Sequence, residues 1–168
     1  MNKFFICLFA TLLLIGATSN AKSKNRIGTY DSRIIAIWNF SSPEFQKEMT
    51  EMRTAFIKAK ESNDTATVKI LEQKGPLTQR ILHDKGFGRG SVAEIIEKKQ
   101  EELKLLAKSE NLIAIVSKWE LNYSNPDIEV VDVTVKLLEA LNATDKIIKM
   151  YDEMKTQEPL KNAFFLED

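Results

Sequence analysis

The sequence predicts an α+β fold, mostly helical, in which a small antiparallel sheet forms a body and an antiparallel helical hairpin projects from it. Three observations predict this. Apolar residues recur at helical spacing in two long stretches of similar length, 43–60 and 91–110. Strand-like runs lie on either side of these stretches, at 26–31 and 112–123. Between them the chain is punctuated by Asn63, Gly75-Pro76, the glycines Gly86, Gly88 and Gly90, and Asn125-Pro126.

The chain of 168 residues opens with Lys3 and an unbroken apolar run from Phe4 to Gly16, followed by the small or polar residues Ala17 to Ala21. Ser19-Asn20-Ala21 fits a signal-peptidase site, so residues 1–21 read as a cleaved signal peptide and the mature protein as exported to the periplasm. The alternative is an uncleaved anchor, although the run is shorter than the roughly 20 residues a bilayer span needs. Cys7, the only cysteine, lies inside this segment. The remainder therefore has no disulfide, and a packed core or a subunit interface must hold the fold.

Arg26 to Asp31 reads as the first strand, and Ser32 to Asn39 continues apolar through Ile34, Ile35, Ile37 and Trp38. Ser42-Pro43-Glu44 combines a serine cap, a proline at the first helical position and an acid in the first turn, which marks a helix start. Phe45, Met49, Met52, Phe56 and Ala59 follow at 4-3-4-3 spacing. A second helical stretch opens near Thr65 and is expected to break at Gly75-Pro76, leaving a short third helix from Leu77 to His83. Ser91 and Glu94 form a capping-box pattern, and the helix they open, running to Glu110, is the expected return arm of the hairpin.

Beyond it, Leu112 to Val116 reads as a buried strand, Ser117-Lys118 as a turn, and Trp119, Leu121 and Tyr123 as one face of a paired strand that ends at Asn125-Pro126. Asp132 can cap a helix carrying Val135, Leu137, Leu138 and Leu141, which Asn142 closes. A last helix is expected from Thr144 to Lys155. Residues 156–168 form a tail containing Phe164-Phe165-Leu166, a segment for docking on the body or binding a partner.

Two passages, RIGTYDSRIIAIWNFSSPEFQKEM (26–49) and LIAIVSKWELNYSNPDIEVVDVTVKLLEALN (112–142), resemble the Skp/OmpH family of periplasmic chaperones. The first is similar to that family's opening strand, aspartate and Ser-Pro-Glu-Phe start of the long helix. The second is similar to its closing β-hairpin and final helix. The resemblance implies one domain over 22–155, with a body at 26–41 and 111–142 and a helical arm at 42–110. It implies a homotrimer whose arms enclose unfolded outer-membrane proteins, working without ATP, cofactor or metal and without catalytic residues. The chain departs from the family in being close to neutral and in having short, interrupted arms.

Several constellations bear on chemistry. Met49, Met52 and Phe56, with Phe45, can line a client-binding face, because methionine and aromatic side chains adapt to varied apolar shapes; packing between the arms is the alternative. Gly86, Gly88 and Gly90 would be a phosphate loop only with a strand before them, whereas a helix precedes them. They read as a hinge, with Lys85 and Arg89 the candidates for anion binding or electrostatic steering. His83 is the only histidine, too few for a zinc site without cysteine, and nothing resembles a nucleophile elbow. Residues 58–90 hold seven basic against four acidic residues, and 120–168 five against eleven, which is no nucleic-acid footprint. The basic segment can steer the protein toward acidic partners or an anionic membrane surface.

Three functional expectations follow. The first is a non-enzymatic chaperone for unfolded outer-membrane or envelope proteins. The second is an envelope structural or interaction protein whose remodelled hairpin binds one partner. The third and most distant is an anion- or nucleotide-binding enzyme built on the Gly86–Gly90 loop.

Overall fold

The computed structural model describes residues 25–159. The expected signal peptide and the Phe164-Phe165-Leu166 segment lie outside them. The element order is β1 (Arg26–Tyr30), α1 (Ser32–Phe40), α2 (Pro43–Glu61), α3 (Thr65–Gly86), α4 (Ala93–Glu97), α5 (Gln100–Glu110), β2 (Ala114–Ser117), β3 (Glu129–Asp132), α6 (Thr134–Ala140) and α7 (Asp145–Met154). The fold is α+β and mostly helical, as the sequence predicts.

The sheet corrects the sequence reading in two ways. It is parallel, ordered β2-β1-β3, with Gly28 opposite Ile115 on one side and Val131 on the other. Its third strand is Glu129–Asp132, and the alternating run from Trp119 to Tyr123 is no strand at all. That run leaves the sheet because Trp119 turns inward, its indole N–H donating to the Asp31 carboxylate at 2.9 Å. Tyr123, the last residue of the alternating set, stands 78% exposed. The connection 118–128 then carries the chain across β1, so β3 pairs on the far side. Gly28 is needed at the centre of this sheet: a Cβ there would lie 2.7 Å from Leu112 Cδ1 and 3.0 Å from Val133 Cγ2.

The core lies on the sheet's helical face. Ile34 and Ile35 of α1 and Leu137 and Leu138 of α6 are fully buried, joined by Val92, Ile95, Leu106, Leu141, Ile147 and Tyr151. Burying each of the large aliphatic side chains contributes about 1.5–3 kcal/mol. Ile95 and Leu106 place α4 and α5 against this body, so the return arm of the hairpin is not 91–110. It is α3.

The hairpin starts as predicted: Ser42 Oγ accepts from Phe45 N–H at 3.2 Å, with Pro43 in the first turn. At its tip Asn63 adopts φ 57°, and Asp64 caps α3 by accepting from Thr67 N–H at 3.1 Å. The helix α3 then runs 22 residues without ending at Gly75-Pro76. Proline there removes one N–H and costs the helix about 3 kcal/mol. The seam against α1 and α2 supplies the offset: Val68, Leu71, Gly75, Thr78, Leu82 and Lys85 recur at 3-4-3-4-3 spacing, each at least partly buried. Tertiary packing overrides the breaker.

The capping box at Ser91 is also half formed. Ser91 Oγ accepts from Ala93 N–H at 3.2 Å, but Glu94 turns away and pairs with Lys85. The 91–110 stretch breaks at Lys98-Lys99 into α4 and α5, and Asn111 ends α5 at φ 54°.

Candidate functional site

Two places concentrate chemistry: the carboxyl edge of the sheet and the hairpin arm. Ligands of open parallel sheets gather at the carboxyl edge. Each strand there delivers polar residues: Asp31 after β1, Lys118 and Trp119 after β2, and Asp132 at the end of β3. Asp31 is fully buried. Its carboxylate accepts from Arg33 Nε at 3.0 Å and Nη2 at 2.7 Å, from the Arg33 backbone N–H at 3.0 Å, and from the Trp119 indole, while Lys118 Nζ lies 2.9 Å away. Burial alone would raise its pKa. The hydrogen bonds from Arg33, Lys118 and Trp119, with the Lys118 charge, outweigh burial and hold it down at about 2.

The neighbouring groups are equally occupied. Thr134 Oγ1 accepts from Asp31 N–H at 3.0 Å and donates to Asp132 Oδ1 at 2.5 Å, and Tyr151 donates to Asp132 Oδ2 at 2.6 Å. Burial, then the bond to Asp132, raises the Tyr151 pKa. Arg33 and Lys118 also lie over the Trp119 ring, at 4.9 and 4.5 Å from its centroid. The network ties β1, β2, β3, α6 and α7 together. Its donors and acceptors face one another, so it is built as a clamp.

The glycine loop is built as a helix stop. The N–H groups of Phe87, Gly88, Arg89 and Gly90 all donate to carbonyls of His83, Lys85 and Asp84 at the end of α3. Gly88 takes φ 75°, and a Cβ on Gly90 would press to 2.9 Å from Lys85 N. Backbone donors that would cradle a phosphate therefore point into the helix end. Both candidate cations hold acids: Lys85, itself buried, pairs with Glu94, and Arg89 Nη2 meets Asp84 Oδ1 at 2.7 Å. His83 packs near Phe87, with ring centroids 6.0 Å apart. No group of three metal-ligating side chains exists among the described residues.

The arm is different. Met49, Met52 and Phe56 of α2 line one wall of an apolar groove of about 420 Å3, and Leu71, Gly75 and Pro76 of α3 line the other. Arg53 and Glu72 stand on its rim. Among the described residues a Cβ on Gly75 would meet nothing within 4 Å, so the missing side chain opens the groove. Three of the four residues singled out on α2 thus come together. Phe45 does not join them: it stacks at 5.3 Å on Phe40 and lines a separate cleft of about 250 Å3 at the root of the arm. Leu71, Gly75 and Pro76 were hidden in the sequence behind the apparent break, although the seam from Val68 to Lys85 carries their signal.

Outside the groove, Ile57, Ile70, Leu77 and Ile81 are 44–64% exposed on the arm. Ile70, Leu77 and Ile81 share one face of α3 by their spacing of seven and four. No helix among the described residues is long and apolar enough to cross a membrane. Compared with protein-family models, with curated proteins and with solved structures, the chain has no significant match to any.

Proposed function

We propose that the chain is an exported, ATP-independent binding protein that holds unfolded outer-membrane or other envelope proteins on its helical arm. The observation that carries this reading is the Met49-Met52-Phe56 groove. An adaptable apolar surface sits on a projecting hairpin beside further exposed aliphatic side chains, whereas Asp31, Arg33 and Lys118 at the sheet edge and Lys85 and Arg89 at the glycine loop are paired. A binding protein needs such a surface and no reactive group, so the proposal includes no catalytic residue and no cofactor. The positive balance of 58–90 would draw the arm toward acidic clients or an anionic membrane surface.

The proposal extends to a homotrimer in the periplasm. Strands β2 and β3 are the edges of the sheet; Ile113, just before β2, and Val130, within β3, are 60% and 41% exposed. Open edges of this kind call for a neighbouring chain. A monomer by light scattering or native mass measurement removes the trimer.

The test of function is suppression of aggregation when a denatured outer-membrane protein is diluted into excess chain. Suppression by the natural chain, lost in the Met52→Gln, Phe56→Gln double variant with its melting transition kept, is the expected result. Unchanged precipitation with the natural chain overturns the general chaperone reading. The confined size of the groove favours a second reading, an envelope interaction protein with one partner, which predicts an oligomer that leaves aggregation unchanged.

A further inference from the structure

We infer that the groove has an occupant within the chain: the segment Phe164-Phe165-Leu166 docks between Met49, Met52 and Phe56 on one side and Gly75-Pro76 on the other. The docking would compete with client binding. This rests on the groove being a binding surface, as proposed above, and adds how access to it is controlled.

The first support is where the described chain stops. Pro159 sits against the carboxyl end of α3, so close that a Cβ on Gly88 would lie 3.2 Å from its Cγ. Phe165 is six residues further on, a reach of roughly 20 Å for extended chain. Gly75 is thirteen residues back along α3 from Gly88, also roughly 20 Å at the helical rise. A tail leaving Pro159 toward the tip of the arm therefore brings Phe164 and Phe165 level with the groove.

Charge is the second support. Glu167 and Asp168 follow the apolar triplet and would pass beyond the groove toward the tip. There Arg53 stands on the rim and Lys60 lies 4.4 Å from the centroid of the Phe56 ring. Glu72 is the single acid in the lining. The order in the tail, aromatic pair then acids, matches the order on the arm, apolar groove then cations. Lining is the third support: the groove offers apolar walls on two sides, whereas Leu77 stands 59% exposed and Ile81 lines the root cleft beside Glu44, Glu48 and Glu94, acids that would repel Glu167 and Asp168.

The test places benzoylphenylalanine at position 165 of the full chain, irradiates it and maps the cross-link by mass spectrometry. Benzophenone inserts readily beside methionine, so Met49 and Met52 are effective reporters. A cross-link within one chain to Met49, Met52 or Phe56 is expected, and it should fall to background in the Gly75→Leu variant, whose side chain fills the groove. A cross-link to Leu77 or Ile81, one between two chains, or none above background overturns the docking, as does one to Met52 that persists in Gly75→Leu. The readout uses no client, so it can fail while the aggregation assay succeeds, and the reverse. Where both hold, Phe164→Ser with Phe165→Ser raises client holding by the full chain; unchanged holding overturns the competition.

Discussion

At the carboxyl edge of the sheet, each charged group is enclosed by partners. On the arm, large apolar side chains stand exposed around an apolar groove. The body buries Asp31 completely and faces it with Arg33, Lys118 and Trp119. The arm has a single buried apolar residue on α2, Ala59, and its two helices touch through a seam one side chain deep. The difference separates two tasks. Satisfied polar networks and dense packing specify a single body, and a sparse seam with exposed methionine and aromatic side chains leaves surface for something else.

The largest effect is expected at Asp31. The Asp31→Asn substitution leaves Arg33 and Lys118 facing each other in a site where the arginine side chain is only 5% exposed. Removing one partner from a buried charge network costs about 3–5 kcal/mol, and urea denaturation of the variant should register that loss. A shift of less than about 1 kcal/mol would falsify the clamp. No substitution within the groove should approach it.

The same group gives the body an acid limit. The folded-state pKa of Asp31 lies below its ordinary value of 3.8, so its contribution to stability is present above that value. The contribution is lost as pH falls from about 4 through about 2, and amounts to about 2 kcal/mol. Unfolding free energies measured between pH 2 and 5 should slope steeply for the natural chain and less for Asp31→Asn. At the alkaline end burial, with the Glu120 charge, pushes Tyr30 up to about 12 from 10.0. Its contribution is whole below 10 and lost as pH rises toward 12.

A smaller effect is expected at Gly28. Alanine there must displace Leu112 and the buried Val133, a strain of about 1–3 kcal/mol. The measurement is again chemical denaturation, and a neutral Gly28→Ala would mean that the sheet yields where the packing says it is tight.

How legible these regions were follows from where their determinants sit in the chain. The hairpin start at Ser42-Pro43-Glu44 and the α6 and α7 helices depend on neighbours within a turn, and local pattern found them. The parallel sheet depends on Trp119 reaching Asp31, 88 residues away. Locally, Trp119, Leu121 and Tyr123 alternate as a strand should. Gly75-Pro76 misled for the opposite reason: its local breaking tendency is real, and only the seam from Val68 to Lys85 overrides it. The α2 wall of the groove could be read from heptad spacing, and the α3 wall could not be seen until the break was removed. Lys85 and Arg89 stood out as loop cations, but their acids, Glu94 and Asp84, are fixed by the turn of the loop.

The smallest expected effect has the opposite sign. Gly75 lies inside α3, half-buried, and among the described residues nothing lies within 4 Å of where its Cβ would be. Glycine in a helix interior costs about 0.5–1 kcal/mol relative to alanine through the freedom it loses on folding. Gly75→Ala should therefore stabilise the arm by about that amount, whereas Gly28→Ala destabilises the body. Global unfolding reads the gain only if the arm unfolds with the body, so amide exchange in α3 is the more direct measure. Faster exchange at Leu71 or Gln79 in Gly75→Ala would mean that the methyl group costs more in disturbed contacts than the helix gains from losing glycine. Slower exchange there would fix the groove as an opening held at a cost in helix stability, which is what a binding surface on a thin arm requires.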